Sequence, residues 1–184
     1  KPVFTAHLLI NAGIPVTAFI GGICKNFNSN FITSEKAKVL LVEADEFDRS
    51  LLQLQSDIAL VSSVEADHLD IYKNLDDIRK TFAAFAGKIK PHGKLIIRYG
   101  LDVFDKFKGN KLTYGIIDKA DLFADNISFE KEKFRFQMHF PENKTTDVLL
   151  KIPGQHSTEN ALGAAAIARE MNISTNQIIQ GLES

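Results

Sequence analysis

Two short apolar runs, each followed at once by acidic side chains, constrain the fold of this chain more than any other feature. They are Val39–Asp45, with the sequence VLLVEAD, and Ile58–His68, with the sequence IALVSSVEADH. Consecutive aliphatic residues without polar alternation predict strands that are buried on both faces, as in parallel sheets. The carboxyl ends of such strands form the ligand crevice of open α/β sheets, so we expect the acidic ends of both runs to lie side by side there.

Helix and strand signals alternate around these two runs. The clearest helix is Leu75–Ile89, whose apolar residues share one face and whose first turn carries Asp76 and Asp77. A strand at Lys94–Tyr99 follows it, which gives the strand, helix, strand order of right-handed parallel crossovers. The other predicted elements are a helix over Pro2–Ala12 that ends at Gly13, a strand over Pro15–Ile20 that ends at Gly21-Gly22, a short helix over Phe47–Leu54, an Ala-rich helix over Thr158–Met171, and a last helix opened by a capping box of Ser174 and Gln177.

Beyond Leu101 the pattern indicates antiparallel strands. In Lys133–Phe140 the apolar residues alternate with polar ones, and Glu130–Glu132 has the composition of a hairpin tip. The other strand-like segments of this region are Lys111–Tyr114, Asp121–Phe129 and Thr145–Ile152. Together these elements predict a single three-layer α/β domain over residues 1–184, in which helices flank a mainly parallel central sheet that carries a small antiparallel β extension.

The balance of charge limits what the chain binds. Lys and Arg number 22 and Asp and Glu number 23, which leaves a net charge of −1. No general positive field therefore favours nucleic acid or an anionic membrane, and an anionic substrate must be bound by local groups. The single cysteine, Cys24, excludes an internal disulfide and is typical of a reducing compartment, and no apolar run approaches the length of a membrane span. We therefore expect a cytoplasmic location.

The acidic motif Glu43–Asp48, with the sequence EADEFD, is the first candidate site. Carboxylates at a strand end supply the oxygen ligands that Mg²⁺ prefers, and Glu43 is the best candidate because it is nearest the strand. The alternative is a solvated acidic turn in which Asp48 caps the next helix.

The second candidate site is Val64–Asp70, with the sequence VEADHLD, which contains His68. Because it follows a buried strand beside other acidic groups, His68 is a candidate ligand of the same divalent cation. A mixed imidazole and carboxylate set also suits Mn²⁺ or Zn²⁺, so the residues alone leave the metal open. The alternative is a core histidine whose ring bonds to a backbone carbonyl.

The third candidate site is the segment PGQHSTENA, Pro153–Ala161. A Pro-Gly turn places His156, Ser157 and Asn160 at the start of a helix, where polar side chains and free backbone amides suit a planar heterocycle or an anion. The alternative is that Ser157 or Thr158 is only an N-cap.

The fourth candidate site is the segment GGICKNFNSN, Gly21–Asn30. Its glycines permit close approach of the backbone, and Lys25, Asn26 and Asn30 are suited to contacts with a sugar or a phosphate of a substrate, as is Asn28. A flexible surface loop is the alternative.

The runs GGICKNFNSN, VEADEFDRSLLQL, EADHLDIY and PGQHSTENALGAAA, in this order, resemble the central ATP-binding domain of the Mur ligases. The resemblance covers nearly the whole chain. It implies ATP and Mg²⁺ as cofactors, and a reaction in which ATP phosphorylates a carboxylate and an amine then attacks the acyl phosphate to form an amide. By matching motif, it implies that Glu43 and His68 hold Mg²⁺ as the catalytic residues and that His156 and Asn160 lie against the adenine side of ATP.

Within the family, the motifs are most similar to those of the member that joins L-alanine to UDP-N-acetylmuramate in peptidoglycan synthesis. The rival enzyme is the recycling ligase that adds a preformed murein peptide to the same sugar nucleotide. A rival from another class is a metal-binding or interaction module that has no nucleotide site.

Two departures from the family pattern affect what the chain can do alone. The family's phosphate-binding loop, of the form G-T-x-G-K-T-[ST], is absent before the helix that contains Ala6–Leu9, and Ser157 stands where the family usually has Asn. We therefore expect a piece of a longer protein, without the family's N-terminal UDP-binding domain and its C-terminal domain. By itself this piece is expected to bind ATP weakly and to be inactive as a ligase.

Overall fold

The computed structural model of the 184-residue chain describes residues 2–24, 28–44, 47–64, 72–130, 133–152 and 154–184. The chain forms two compact units. The first unit contains Lys1–Glu43 and Gly115–Ser184, and the second contains Ala44–Tyr114. The expectation of one domain over residues 1–184 stays a prediction.

The first unit opens with a helix packed on a three-stranded sheet. Helix α1, Pro2–Asn11, ends before Gly13, whose φ of 78° is the left-handed conformation that glycine adopts readily at a helix end. The sheet has the order β2-β1-β3, in which β1 is parallel to β3 and antiparallel to β2. Its strands are β1, Val16–Cys24, β2, Ser29–Ile32, and β3, Val39–Val42.

Three expectations about this sheet need correction. Strand β1 continues through Gly21-Gly22 to Cys24 instead of ending at Ile20. Strand β3 is not buried on both faces, because Leu40 and Val42 are 64% and 37% exposed. The two apolar runs were expected to be neighbouring strands, which is wrong. Strand β3 pairs with β1 in the three-stranded sheet, whereas β4, Ile58–Val61, pairs with β5, Lys94–Arg98, in another sheet.

The remainder of the first unit is an antiparallel meander followed by two helices. The strands β7, Leu122–Glu130, β8, Lys133–Phe140, and β9, Lys144–Leu150, pair in sequence order, as the alternating pattern predicts. Phe136, Met138 and Phe140 are buried on one face of β8. The helices are α3, Gln155–Glu170, and α4, Thr175–Glu183, and α4 begins with the predicted capping box of Ser174 and Gln177.

The second unit contains parallel strands and one long helix. Strand β4 pairs with β5, and β5 pairs with β6, Asn110–Gly115, all in the parallel sense. The assignment of the 111–114 segment to the antiparallel extension was therefore wrong, because strand direction depends on a partner that is distant in sequence. Helix α2, Leu75–Ala86, and the 3₁₀ helices Phe47–Gln53 and Asp102–Phe104 complete the unit. Its core contains Leu51, Ala59, Val61, Phe85, Ala86, Leu95, Ile97 and Phe104.

One ion pair ties the turn between β8 and β9 to the end of α3. Arg169 donates to Glu142 Oε2 from Nε at 3.1 Å and from Nη2 at 3.0 Å. Partial burial acts to raise the pKa of the Glu142 carboxyl, but the hydrogen bond and the charge of Arg169 outweigh burial and hold that pKa below its usual value. The ion pair therefore stabilises the folded state only while Glu142 is ionised.

We expect Glu142→Gln to lower the free energy of unfolding by less than about 1 kcal/mol at neutral pH, because the pair is partly exposed to solvent. The folded-state pKa of Glu142 is depressed, so its contribution is present above the unfolded-state pKa and is lost as pH falls through the folded-state pKa. Urea unfolding at pH 7 and at about pH 3 measures the difference, with Glu35→Gln at an exposed turn as the control. A difference that persists at the lower pH contradicts this account.

Candidate functional site

Glu43 lies directly after β3 and is tied to β1 by two hydrogen bonds. Its backbone N–H donates to the carbonyl oxygen of Phe19 at 3.0 Å, which continues the parallel pairing of the two strands. Its carboxylate oxygen Oε2 accepts a hydrogen bond from the backbone N–H of Gly21 at 2.5 Å. The side chain that the sequence singled out is therefore held in place by a glycine of the neighbouring strand.

Gly21 is needed for this contact because it has no side chain. A Cβ atom built on Gly21 would lie 2.9 Å from Glu43 Oε2, closer than such atoms approach in proteins, whereas a Cβ atom on Gly22 would meet nothing within 4 Å. The sequence indicated that another group approaches the backbone at these glycines, but not which group. The structure shows that the Glu43 carboxylate approaches Gly21 and not Gly22.

The Glu43 carboxylate has the chemistry of a divalent-cation ligand. Glu43 is exposed, and a carboxylate that accepts one hydrogen bond retains other lone pairs for a hard cation such as Mg²⁺. No group of three His, Cys, Asp or Glu side chains suited to a metal occurs within the described ranges. His68 and Asp45 lie outside those ranges, so the sharing of one cation by Glu43 and His68 stays a prediction.

The amino end of α3 positions the third candidate segment. The helix begins at Gln155 rather than at Thr158, and its N-cap is Gly154, which has a φ of 109° and no side chain to accept a first-turn N–H. Ser157 and Thr158 lie inside the helix, so the alternative that one of them is only an N-cap is wrong.

Two of the predicted nucleotide-binding residues share a face of α3. His156 and Asn160 are four positions apart, which places them one turn from each other on the same side of the helix. His156 is exposed and Asn160 is half-buried, whereas Ser157 is 8% exposed. The helix therefore presents an imidazole and an amide on one face near its amino end, groups of the kind expected to contact a heterocycle.

The polar segment after β1 is partly a strand instead of a loop. Asn30 is exposed within β2, and the rings of Phe31 and Phe19 pack across the strand pair with their centroids 4.8 Å apart. The alternative of a flexible surface loop is therefore wrong for Ser29 and Asn30, which belong to β2. Lys25 and Asn26 lie outside the described residues, and their contacts with a substrate stay a prediction.

A cluster around Arg49 was not found from the sequence. Arg49 donates from Nη2 to Asp77 Oδ2 at 2.7 Å, and its guanidinium carbon lies 5.2 Å from the centroid of the Tyr72 ring. The sequence signal at Asn74 and Asp77 is that of a helix start, and Asn74 does cap α2 by accepting from the Asp77 N–H at 3.0 Å. No local pattern predicts the long-range partner of Arg49.

Comparison with known proteins gives one family. The Mur ligase middle domain family matches residues 23–168. A UDP-N-acetylmuramate–L-alanine ligase of Flavobacterium psychrophilum is 43% identical over 178 residues, which are 97% of this chain and 38% of that relative. The chain thus spans well under half the length of the curated relatives it matches.

Solved structures agree on the fold. A UDP-N-acetylmuramate-alanine ligase from Thermotoga maritima superposes with a TM-score of 0.85 at 20% identity, over 99% of this chain and 41% of that one. A UDP-N-acetylmuramate:L-alanyl-gamma-D-glutamyl-meso-diaminopimelate ligase from Neisseria meningitides superposes with a TM-score of 0.86 at 20% identity, over 100% of this chain and 61% of that one. Among the described residues, no helix has the length and apolar character required to cross a membrane.

Proposed function

The chain belongs to the Mur ligase family, and from this premise we propose that it is the ATP-binding part of a ligase that joins L-alanine to UDP-N-acetylmuramate in peptidoglycan synthesis. The observation that carries the proposal is the 43% identity to a ligase of that name over 97% of the chain. The family match confirms the resemblance drawn from the motifs and the α/β fold expected from it. The proposed activity is that of the whole protein, acting in the cytoplasm.

The proposed reaction forms an amide bond in two chemical steps. The carboxylate of UDP-N-acetylmuramate attacks the γ-phosphorus of ATP, which releases ADP and gives an acyl phosphate. The amine of L-alanine then attacks the acyl carbon, phosphate leaves, and the amine loses a proton. Phosphoryl transfer of this kind depends on the positioning of the acceptor and on stabilisation of charge at the phosphate oxygens.

Glu43 and His68 are the residues proposed to hold Mg²⁺ in this reaction. When bound, Mg²⁺ neutralises charge on the phosphate oxygens. The hydrogen bond from the Gly21 N–H supports the assignment of Glu43, because it favours one orientation of the carboxylate before any ligand binds. A ligand fixed in advance loses less conformational entropy on binding than a freely rotating one.

His156, Ser157 and Asn160 are proposed to bind the nucleotide, and Lys25, Asn26 and Asn30 the sugar-nucleotide substrate. The shared face of His156 and Asn160 and the glycine N-cap of α3 support the nucleotide assignment. The exposure of Asn30 on β2 supports the substrate assignment.

An assay of the full-length protein tests the proposed function. Release of phosphate should require ATP, Mg²⁺, UDP-N-acetylmuramate and L-alanine together. Activity with a murein tripeptide but not with L-alanine would instead identify the recycling ligase. Calorimetry that detects no heat of ATP binding in the presence of Mg²⁺ would reject both enzymes in favour of a non-catalytic module.

We expect His156→Ala and Asn160→Ala each to raise the KM for ATP of the full-length ligase about threefold to tenfold, because each removes one polar contact with the nucleotide. The KM for L-alanine should stay unchanged. Steady-state kinetics with each substrate varied in turn measures the effect, and Asn176→Ala, at an exposed position of α4, is the matched control. An unchanged KM for ATP in both variants would remove α3 from the nucleotide site.

A further inference from the structure

A row of three polar side chains lies on the open face of the meander β7–β9. In the strand register, His139 of β8 is opposite Phe123 of β7 and Thr145 of β9. The ring nitrogen Nε2 of His139 lies 2.9 Å from Asp125 Oδ1, and the other ring nitrogen, Nδ1, lies 3.0 Å from Thr145 Oγ1. A carboxylate, an imidazole and a hydroxyl are therefore joined by hydrogen bonds across the three strands.

The imidazole of His139 is held in this position from both faces of the sheet. Its neighbours in β8, Met138 and Phe140, are buried on the core face and anchor the strand there. On the open face the Phe123 ring stacks on the imidazole, with the ring centroids 4.3 Å apart and the planes inclined by 7°. Because Phe123 covers the flat side of the ring, both nitrogens at the ring edge remain available for hydrogen bonds.

The chemistry of the two partners determines where the proton of the neutral imidazole lies. An ionised carboxylate only accepts hydrogen bonds, so Nε2, the nitrogen that faces Asp125, carries the proton. Nδ1 is then an acceptor, and the Thr145 hydroxyl donates to it. An activated nucleophile has the same set of contacts, because a base takes the hydroxyl proton while a carboxylate orients the base and stabilises its charged form.

Thr145 is accessible to a small molecule. It is exposed, and it belongs to β9, the last strand of the meander. The backbone N–H of Leu149 donates to the Glu183 side chain rather than to β8, and alternate residues of a strand direct their N–H groups the same way. The N–H of Thr145, four residues earlier, is therefore directed away from β8, where it can donate to the oxygen of a carbonyl group. In acyl-transfer enzymes the N–H of the nucleophile itself has this role.

We propose that Thr145 is a nucleophile that accepts a small acyl group from a donor with a good leaving group, with His139 as the general base and Asp125 as its positioning residue. The proposal goes beyond the ligase function and does not depend on it. In this step Thr145 Oγ1 forms a bond to the acyl carbon while its proton passes to His139 Nδ1. The bond from the acyl carbon to the leaving group then breaks, the leaving group departs with the electron pair, and the imidazolium releases its proton to the leaving group or to water.

The test uses the full-length protein and p-nitrophenyl acetate, which donates an acetyl group and releases p-nitrophenolate. Peptide mass spectrometry over time should find the acetyl group on Thr145 well before it appears on Thr33, an exposed threonine outside the meander. We expect His139→Gln to slow acetylation of Thr145 about a hundredfold, because a general base contributes a factor of that order. Thr145→Ser should keep the modification at position 145, and Thr145→Val should lose it.

Asp125→Asn tests the positioning residue. The new amide can donate to Nε2 of His139 and so favour the tautomer in which Nδ1 carries the proton, which prevents Nδ1 from accepting the Thr145 proton. Acetylation should slow about tenfold or more, and ¹⁵N NMR of the imidazole should show the proton on Nδ1 instead of Nε2. Gln137→Ala is the matched control, because it removes another side-chain hydrogen bond between β7 and β8, from Asn126 Nδ2 to Gln137 Oε1 at 2.7 Å. It should leave acetylation unchanged.

Three results would overturn the proposal. They are acetylation of Thr145 no faster than that of Thr33, an unchanged rate in His139→Gln, and a loss in Gln137→Ala as large as that in Asp125→Asn. Each would show that the row of side chains only stabilises the meander. The measured product is the acetyl group on Thr145, so the result decides the proposal whether or not the protein joins L-alanine to a sugar nucleotide.

Discussion

Replacing Glu43 by alanine should lower the turnover of the full-length ligase about a hundredfold or more, because a metal clamp on the phosphate oxygens supplies several kcal/mol of transition-state stabilisation. The fold should tolerate the change, since Glu43 is exposed at the end of β3 and its side chain bonds to one backbone amide within the described residues. Initial rates of phosphate release at saturating substrates measure the loss. Thermal unfolding of the same variant checks that the protein remains folded.

Glu43→Gln distinguishes a metal ligand from a hydrogen-bond acceptor. Glutamine can still accept from the Gly21 N–H but carries no charge, so it should be nearly as inactive as Glu43→Ala if the carboxylate holds Mg²⁺. Glu35→Ala, at an exposed turn of the same unit, should retain full activity. Near-normal turnover of Glu43→Gln would reject Glu43 as a ligand and leave it a role in joining β1 to β3.

The same reasoning applies to His68, whose side chain is the second proposed ligand. His68→Ala should lose turnover to a similar extent as Glu43→Ala, that is about a hundredfold. If both side chains hold one cation, the double variant should lose little more than either single variant, because the first substitution already removes the function of the second. Losses that multiply in the double variant would contradict a shared cation.

Local patterns predicted those elements whose structure depends on near neighbours. The strand predicted over Lys133–Phe140 has the bounds of β8, whose partners β7 and β9 are its neighbours in the chain, and Ser174 and Gln177 form their capping box within one helical turn. Gly13 ends α1 for the same kind of reason. The order of the four family motifs also identified the family and the fold.

Features that depend on distant partners were predicted less well. The direction of β6 is set by β5, and the exposure of Leu40 and Val42 is set by what covers the sheet, so neither follows from the local sequence. The extension of β1 past Gly21 has the same origin, because Cys24 of β1 pairs with Ser29 of β2. The same holds for the candidate site. Glu43 could be singled out from the sequence because it follows a strand. The contact that orients Glu43 and the contacts of Arg49 involve residues distant in sequence, so only the structure shows them.

Gly21→Ala should lower turnover of the full-length ligase about tenfold to a hundredfold while leaving the protein folded, because misplacing a catalytic group by about 1 Å can cost that much. The added Cβ atom would lie 2.9 Å from Glu43 Oε2. A carboxylate at the end of a flexible side chain can rotate away from this clash, so folding should lose little. The alanine also removes conformational freedom from the unfolded chain, so the thermal midpoint should stay the same or rise slightly.

Gly22→Ala is the control for Gly21→Ala, because both changes add one methyl group to neighbouring positions of the same strand. Nothing lies within 4 Å of the Cβ atom on Gly22, so this variant should keep its activity and its Mg²⁺ dependence. The comparison distinguishes the effect of displacing the Glu43 carboxylate from the general effects of an alanine in β1. Equal activity in the two variants would show that the Gly21 contact does not matter for catalysis, even if Glu43 itself is essential. The carboxylate would then reach its working position with or without the hydrogen bond from the Gly21 N–H.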